Sequence, residues 1–149
     1  MRRVIIFCVL LLPASASLWP QAVQAEGLKG EPFSYVGMTI SDIIGRFGPP
    51  RSVYAARGDE AWQDDVVFVY DAGDFYFYGE RVWQVAVKSV YGIKSGDTKA
   101  MILLVLGNEA VDAGDYVLFG LSGFGWPLSL RVSIADGRAS AIYIYRPDY

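Results

Sequence analysis

The chain contains no histidine among its 149 residues and only one cysteine, Cys8. These absences remove Ser-His and Cys-His nucleophile pairs, thiolate chemistry and most zinc or iron sites, which depend on imidazole or thiolate ligands. The sequence therefore predicts no metal, no cofactor and no catalytic residue, and reads as a non-enzyme. Cationic charge is also scarce: 13 Lys and Arg stand against 16 Asp and Glu, a formal net charge of −3. The basic residues are scattered singly, without the patch that nucleic acid or anionic lipid demands, so neither is expected as a partner.

A long apolar run is missing too. Val4 to Leu12 is broken at Pro13 and is too short to span a bilayer comfortably. Arg2 and Arg3 before it, and Val23-Gln24-Ala25 after it, complete the pattern of a cleaved signal peptide over residues 1–25, which predicts a periplasmic or secreted protein. Cys8 lies inside the apolar run rather than at its end after a small residue, so no lipid anchor is expected. Removal of the leader takes away Arg2 and Arg3 and lowers the net charge to −5. Residues 26–32 read as a flexible lead-in, and what remains is long enough for one core without disulfides.

Apolar and aromatic residues are plentiful, at 53% and 15% of the chain, which marks a globular protein. One phrase occurs twice. Gly37, Thr39 and Gly48 bracket GMTISDIIGRFG, and Gly96, Thr98 and Gly107 bracket GDTKAMILLVLG, at an offset of 59 residues. Thr39 with Asp42 is a capping-box pattern, Ile40, Ile43, Ile44 and Phe47 form one helical stripe, and Gly48-Pro49-Pro50 ends it. The second helix, Met101 to Leu106, is apolar on all sides and is expected to be buried more deeply.

Each phrase is followed by segments of strand character. Arg51 to Ala56, Asp65 to Tyr70, Phe75 to Tyr78 and Arg81 to Lys88 follow the first; Tyr116 to Leu121, Leu128 to Ile134 and Ala139 to Tyr145 follow the second. Leu128, Leu130, Val132 and Ile134 alternate with Ser129, Arg131 and Ser133, the period of an antiparallel strand with one dry face. The expectation is an α+β fold of two tandem helix-plus-antiparallel-sheet repeats, residues 33–90 and 91–149. The repeats would fuse into one curved sheet with the helices on one side.

Alternation divides the side chains between two faces. Phe75, Phe77, Trp83, Val85, Val87, Ile142 and Ile144 are assigned to the dry face, which sends Tyr76, Tyr78, Tyr143 and Tyr145 to the other with Lys88 and Arg131. Tyrosine and arginine with few aliphatics is the composition of protein interfaces, whereas the plainer reading is that phenols simply tolerate half-exposure on sheets. Trp126 ends the glycine-rich loop Gly120 to Trp126 and is a candidate binding tip; the plainer reading folds it back on the core. Trp62 sits among Asp59, Glu60, Asp64 and Asp65, a cluster that suits a glycosidase pair or calcium in principle but lacks EF-hand spacing and reads as a solvated acidic loop.

GMTISDIIGRFGPP resembles the opening of the small-protein family that includes the outer-membrane assembly lipoprotein BamE (SmpA/OmlA) and the secreted β-lactamase inhibitor protein. Ala72-Gly73-Asp74-Phe75-Tyr76-Phe77-Tyr78 is similar to the inhibitor's hairpin, in which an aspartate and following tyrosines enter an enzyme's cleft. The resemblance implies a tandem arrangement of the inhibitor type and a protein partner held by the aromatic face and the Asp74 hairpin. Its alternative is an envelope-assembly component in an outer-membrane complex. The inhibitor's disulfide cysteines and a lipid-anchoring cysteine are both missing here, and Asp97 stands where the family usually has methionine.

Overall fold

The computed structural model describes residues 31–58 and 64–149. The expected leader over 1–25, most of the lead-in and Trp62 lie outside the described residues. A short 3-10 turn, Phe33–Tyr35, precedes helix α1, Ile40–Phe47. Strands β1 (Ser52–Ala56), β2 (Asp65–Val69), β3 (Asp74–Tyr78) and β4 (Arg81–Ala86) follow. The hairpin β5 (Ser89–Val90) and β6 (Ile93–Lys94) leads to helix α2, Lys99–Leu106. The chain then continues through β7 (Val111–Asp112), β8 (Tyr116–Leu121), β9 (Leu128–Ala135) and β10 (Arg138–Tyr145).

The expectation of an α+β fold made of two helix-plus-sheet repeats is corrected by this topology. Strands β1 to β4 and β7 to β10 form a single eight-stranded antiparallel sheet in the order β1-β2-β3-β4-β10-β9-β8-β7, and the two α-helices contribute only eight residues each. The architecture is mostly antiparallel sheet. The physical reason is the seam between β4 and β10, where Ala86 faces Tyr143, Val85 faces Ile144 and Gln84 faces Tyr145. That pairing commits both halves to one core. Phe75, Val85, Leu130, Val132, Ile142 and Ile144 from the sheet, Ile43 from α1, and Ile102 and Leu106 from α2 all join one buried cluster.

The repeated phrase specifies a local junction rather than a repeating unit. Gly37 adopts φ +92° and Gly96 φ +90°, and each has its carbonyl taken by an arginine of the nearby hairpin, Arg81 or Arg138, at 2.8 Å. Thr39 bridges to Arg81 and Thr98 to Arg138 across the same geometry. The Thr39 hydroxyl accepts from the Asp42 N–H at 3.1 Å while the Asp42 carboxylate accepts from Thr39. These bonds satisfy helix N–H groups that have no partner within the helix.

Helix α2 is enclosed more deeply than α1, as its composition leads one to expect: Ile102 and Leu106 are buried, against Ile43 alone in α1. Its all-apolar sequence still leaves an uncovered outer side, where Met101 and Leu104 are 51% and 64% exposed. A further expectation, that Trp83 lies on the dry face, is corrected. The β3–β4 register shifts between Tyr76, which faces Gln84, and Phe77, which faces Val82. The bulge inserts Trp83, so Val82 and Val85 both reach the core and Trp83 lines the opposite face with Gln84.

The β2–β3 turn brings the backbones of β3 and β4 close at Gly73. This residue has φ +152°, and a β-carbon there would stand 2.4 Å from the Ala86 carbonyl oxygen. Gly73→Ala is expected to cost roughly 2 kcal/mol or more in denaturant unfolding, from strain and steric overlap together. Gly120, with open space around it, is the control. Gly120→Ala should stay within about 0.5 kcal/mol of the parent.

Candidate functional site

The face of the sheet away from the helices carries a row of aromatics. Cross-strand register runs Tyr54, Val67, Tyr76, Gln84, Tyr145 and Ser129 along one line over β1, β2, β3, β4, β10 and β9. The adjacent line runs Val69, Asp74, Ala86, Tyr143, Arg131 and Leu118. Side chains alternate along each strand, so both lines share one face. The β4–β10 seam places Tyr143 and Tyr145 on this face next to β4, which in turn adjoins Tyr76.

Between these lines lies a depression of about 430 Å³ lined by Tyr76, Trp83, Gln84, Arg131, Ser133, Tyr143 and Tyr145. A neighbouring one of about 340 Å³ includes Asp74, Tyr76, Lys88, Ser140 and Tyr143. Tyr76 is therefore shared by both. Arg131 is exposed on its face of β9, with its guanidinium 4.5 Å from the centroid of the Tyr116 ring. That stacking holds a cation over an aromatic surface. Among the described residues, neither Arg131 nor Lys88 belongs to an ion pair.

Two titratable groups respond to this setting. Burial, and then the neighbouring phenol of Tyr54, push the Tyr76 phenol well above its ordinary range. Asp65 accepts a hydrogen bond from the Trp83 indole N–H at 3.1 Å. Burial raises its carboxyl, the Trp83 bond works against that, and the Asp64 charge adds to it. Beneath them, Val67 is fully buried although it lies on this face, between Tyr54 and Tyr76 as its direct cross-strand neighbours.

The structure brings Asp74, Tyr76, Lys88, Arg131, Tyr143 and Tyr145 together on one face. Tyr78 stands at its far end, half exposed, with its ring edge-on to Tyr149 at 5.8 Å. Trp126 lies apart. It packs over Gly37, where a β-carbon would come within 2.7 Å of the indole, and the Arg146 guanidinium stands 5.4 Å from its ring. Arg146 also lies 4.5 Å from the Tyr149 ring, so Trp126, Arg146, Tyr149 and Tyr78 form a separate row. Trp62 lies outside the described residues.

Sequence reasoning did not assign Tyr54, Trp83, Gln84, Tyr116 or Ser133 to the site. Tyr54 and Tyr116 are legible in retrospect as aromatics alternating within short strands. Trp83 is not, because the bulge depends on the partner strand.

No family model matches the chain, and no curated protein matches it. Among solved structures it is similar to a cysteine-rich secretory protein from Staphylococcus aureus subsp. aureus Mu50, with 16% identity and a TM-score of 0.48. The match covers 77% of this chain and 46% of that one, so it spans less than half of the neighbour's length. It is too distant to carry an argument about fold or function.

The partly buried phenol of Tyr76 gives an alkaline signature. A group held neutral in the folded state contributes fully below its ordinary pKa, about 10 for tyrosine, and loses that contribution as pH rises through the raised folded value. Tyr76 should ionise late, above the ordinary phenol range, in an ultraviolet titration, and Tyr76→Phe should remove that late step. Tyr76 should give stability no pH dependence near neutrality and make it fall above the ordinary phenol range. For Asp65 the expected outcome is a further rise of its carboxyl in Trp83→Phe, read by NMR titration, because the indole donor that favours the carboxylate is gone.

Proposed function

We propose that the mature chain is an exported, non-enzymatic protein-binding module that engages a partner protein through the open aromatic face of its sheet. The observation that carries this reading is the gathering of Tyr76, Trp83, Arg131, Tyr143 and Tyr145 around one depression of about 430 Å³. Tyrosine, tryptophan and arginine are the residues that dominate binding energy at protein interfaces: the two aromatics combine a large apolar area with a polar end and little rotamer entropy, and arginine offers a planar fork of donors. Asp74 and Lys88 supply charge of both signs at the margin. The resemblance of GMTISDIIGRFGPP and of the Asp74 hairpin to the BamE and β-lactamase inhibitor family points to the same kind of ligand, another folded protein.

The test is a set of single variants on the face. Tyr143→Ala, Arg131→Ala and Tyr76→Ala should each leave stability within about 1 kcal/mol. At least one should weaken a captured periplasmic partner by roughly 2 kcal/mol, about thirtyfold in affinity by calorimetry. Equal binding by all three would place the contact elsewhere, with the row formed by Trp126, Arg146, Tyr149 and Tyr78 the next surface to vary.

A further inference from the structure

The two edges of the sheet are built differently. At one end β7 has only two residues, and Asp112 there is tied to Lys99 at 3.0 Å, a short edge carrying charge. Such an edge resists pairing with another strand. At the other end β1 is five residues of Ser, Val, Tyr, Ala and Ala, with neither charge nor proline. Among the described residues its outer side has no partner. Val53, Tyr54 and, beside them on β2, Val66 are 54%, 45% and 44% exposed.

The free backbone groups can be identified. Tyr70 and Gly73 exchange both backbone hydrogen bonds across the β2–β3 turn. Alternation then aims Val66 and Phe68 toward β3 and Asp65, Val67 and Val69 toward β1. Since Tyr54 faces Val67, its N–H and C=O are used inside the sheet, and those of Val53 and Ala55 point outward.

We propose that β1 pairs antiparallel with β1 of a second copy of this chain, about a twofold axis at Tyr54, joining two sheets into one. Only that register sets the outward groups of Val53 against those of Ala55 in the partner, giving about four backbone hydrogen bonds. It also places the bulky Val53 opposite the small Ala55 twice, on the side that carries Val66. The charges at the ends balance. Arg51 is paired with Asp71 and Arg57 with Asp64 within each copy, so each end of the joint holds two cations and two carboxylates. Tyr54 shares a face with Tyr76, and the pairing would make the two open aromatic faces continuous.

A symmetric cysteine reads this geometry directly, since residues facing one another at a non-hydrogen-bonded pair are within disulfide reach. In a Cys8→Ser background, Tyr54→Cys should form a disulfide dimer under mild oxidation, and Tyr78→Cys, equally exposed but away from the edge, should not. Sedimentation equilibrium of the chain without any introduced cysteine provides the second arm. It should give a dimer whose mass falls about twofold to the monomer in Val53→Lys, with the circular dichroism spectrum unchanged because position 53 is exposed within each copy. A parent chain that stays monomeric at about 100 µM overturns the proposal, as does a dimer that survives Val53→Lys. Neither outcome depends on whether the open face has a partner.

Discussion

The antiparallel pairing of β4 with β10 is the contact on which the rest of the molecule depends. It joins a strand of the first half to the last strand of the chain and makes one sheet from segments about 60 residues apart. The Val87 N–H donates to Ile142 and the Arg146 N–H to Trp83. Alternation then makes Ala86 with Tyr143, and Gln84 with Tyr145, the closely spaced pairs without mutual hydrogen bonds. Side chains approach most closely at such pairs. On one side of the seam Val85 and Ile144 are fully buried, and on the other the two tyrosines meet Gln84 and Ala86.

One strand contact thus serves stability and surface together. Burial of Phe75, Val85, Leu130, Ile142 and Ile144 beneath Ile43 and Ile102 gives the sheet its dry side, which the short helices alone could not do. The same alternation obliges Tyr76, Tyr143, Tyr145 and Arg131 to stand on the other side. The bulge at Trp83 adds an indole to that surface without removing Val82 or Val85 from the core. Local twist at a bulge is a common means of redirecting one side chain, and here it turns the largest one toward the open face.

Much of the strand pattern was legible in the sequence, because period-two alternation is a local property. Leu128, Leu130 and Val132 are buried as their alternation with Arg131 requires, and the tyrosines of β3 and β10 fall on the side opposite Phe75 and Ile144. The glycine-threonine phrase was legible as two capped turns. It misled about architecture, since the same local junction fits any sheet that supplies an arginine at the next hairpin. Helix α2 was legible as the more deeply enclosed of the two helices, whereas the exposure of Met101 and Leu104 was not: apolar composition measures what a helix can bury, not what is available to cover it. Trp83 needed the β3 register, and the packing of Trp126 against Gly37 needed the meeting of segments about 90 residues apart in the chain. Neither is written in a window of neighbouring residues.

The most direct measurement of the seam is the set of cross-strand nuclear Overhauser effects between Hα protons. Strong Hα–Hα effects between Tyr143 and Ala86 and between Tyr145 and Gln84 are expected, together with slow amide exchange at Val87 and Arg146. If instead Tyr143 and Tyr145 show Hα contacts to Val85 or Val87, the register is shifted by one residue. The tyrosines would then face the core, and the open aromatic surface would not exist.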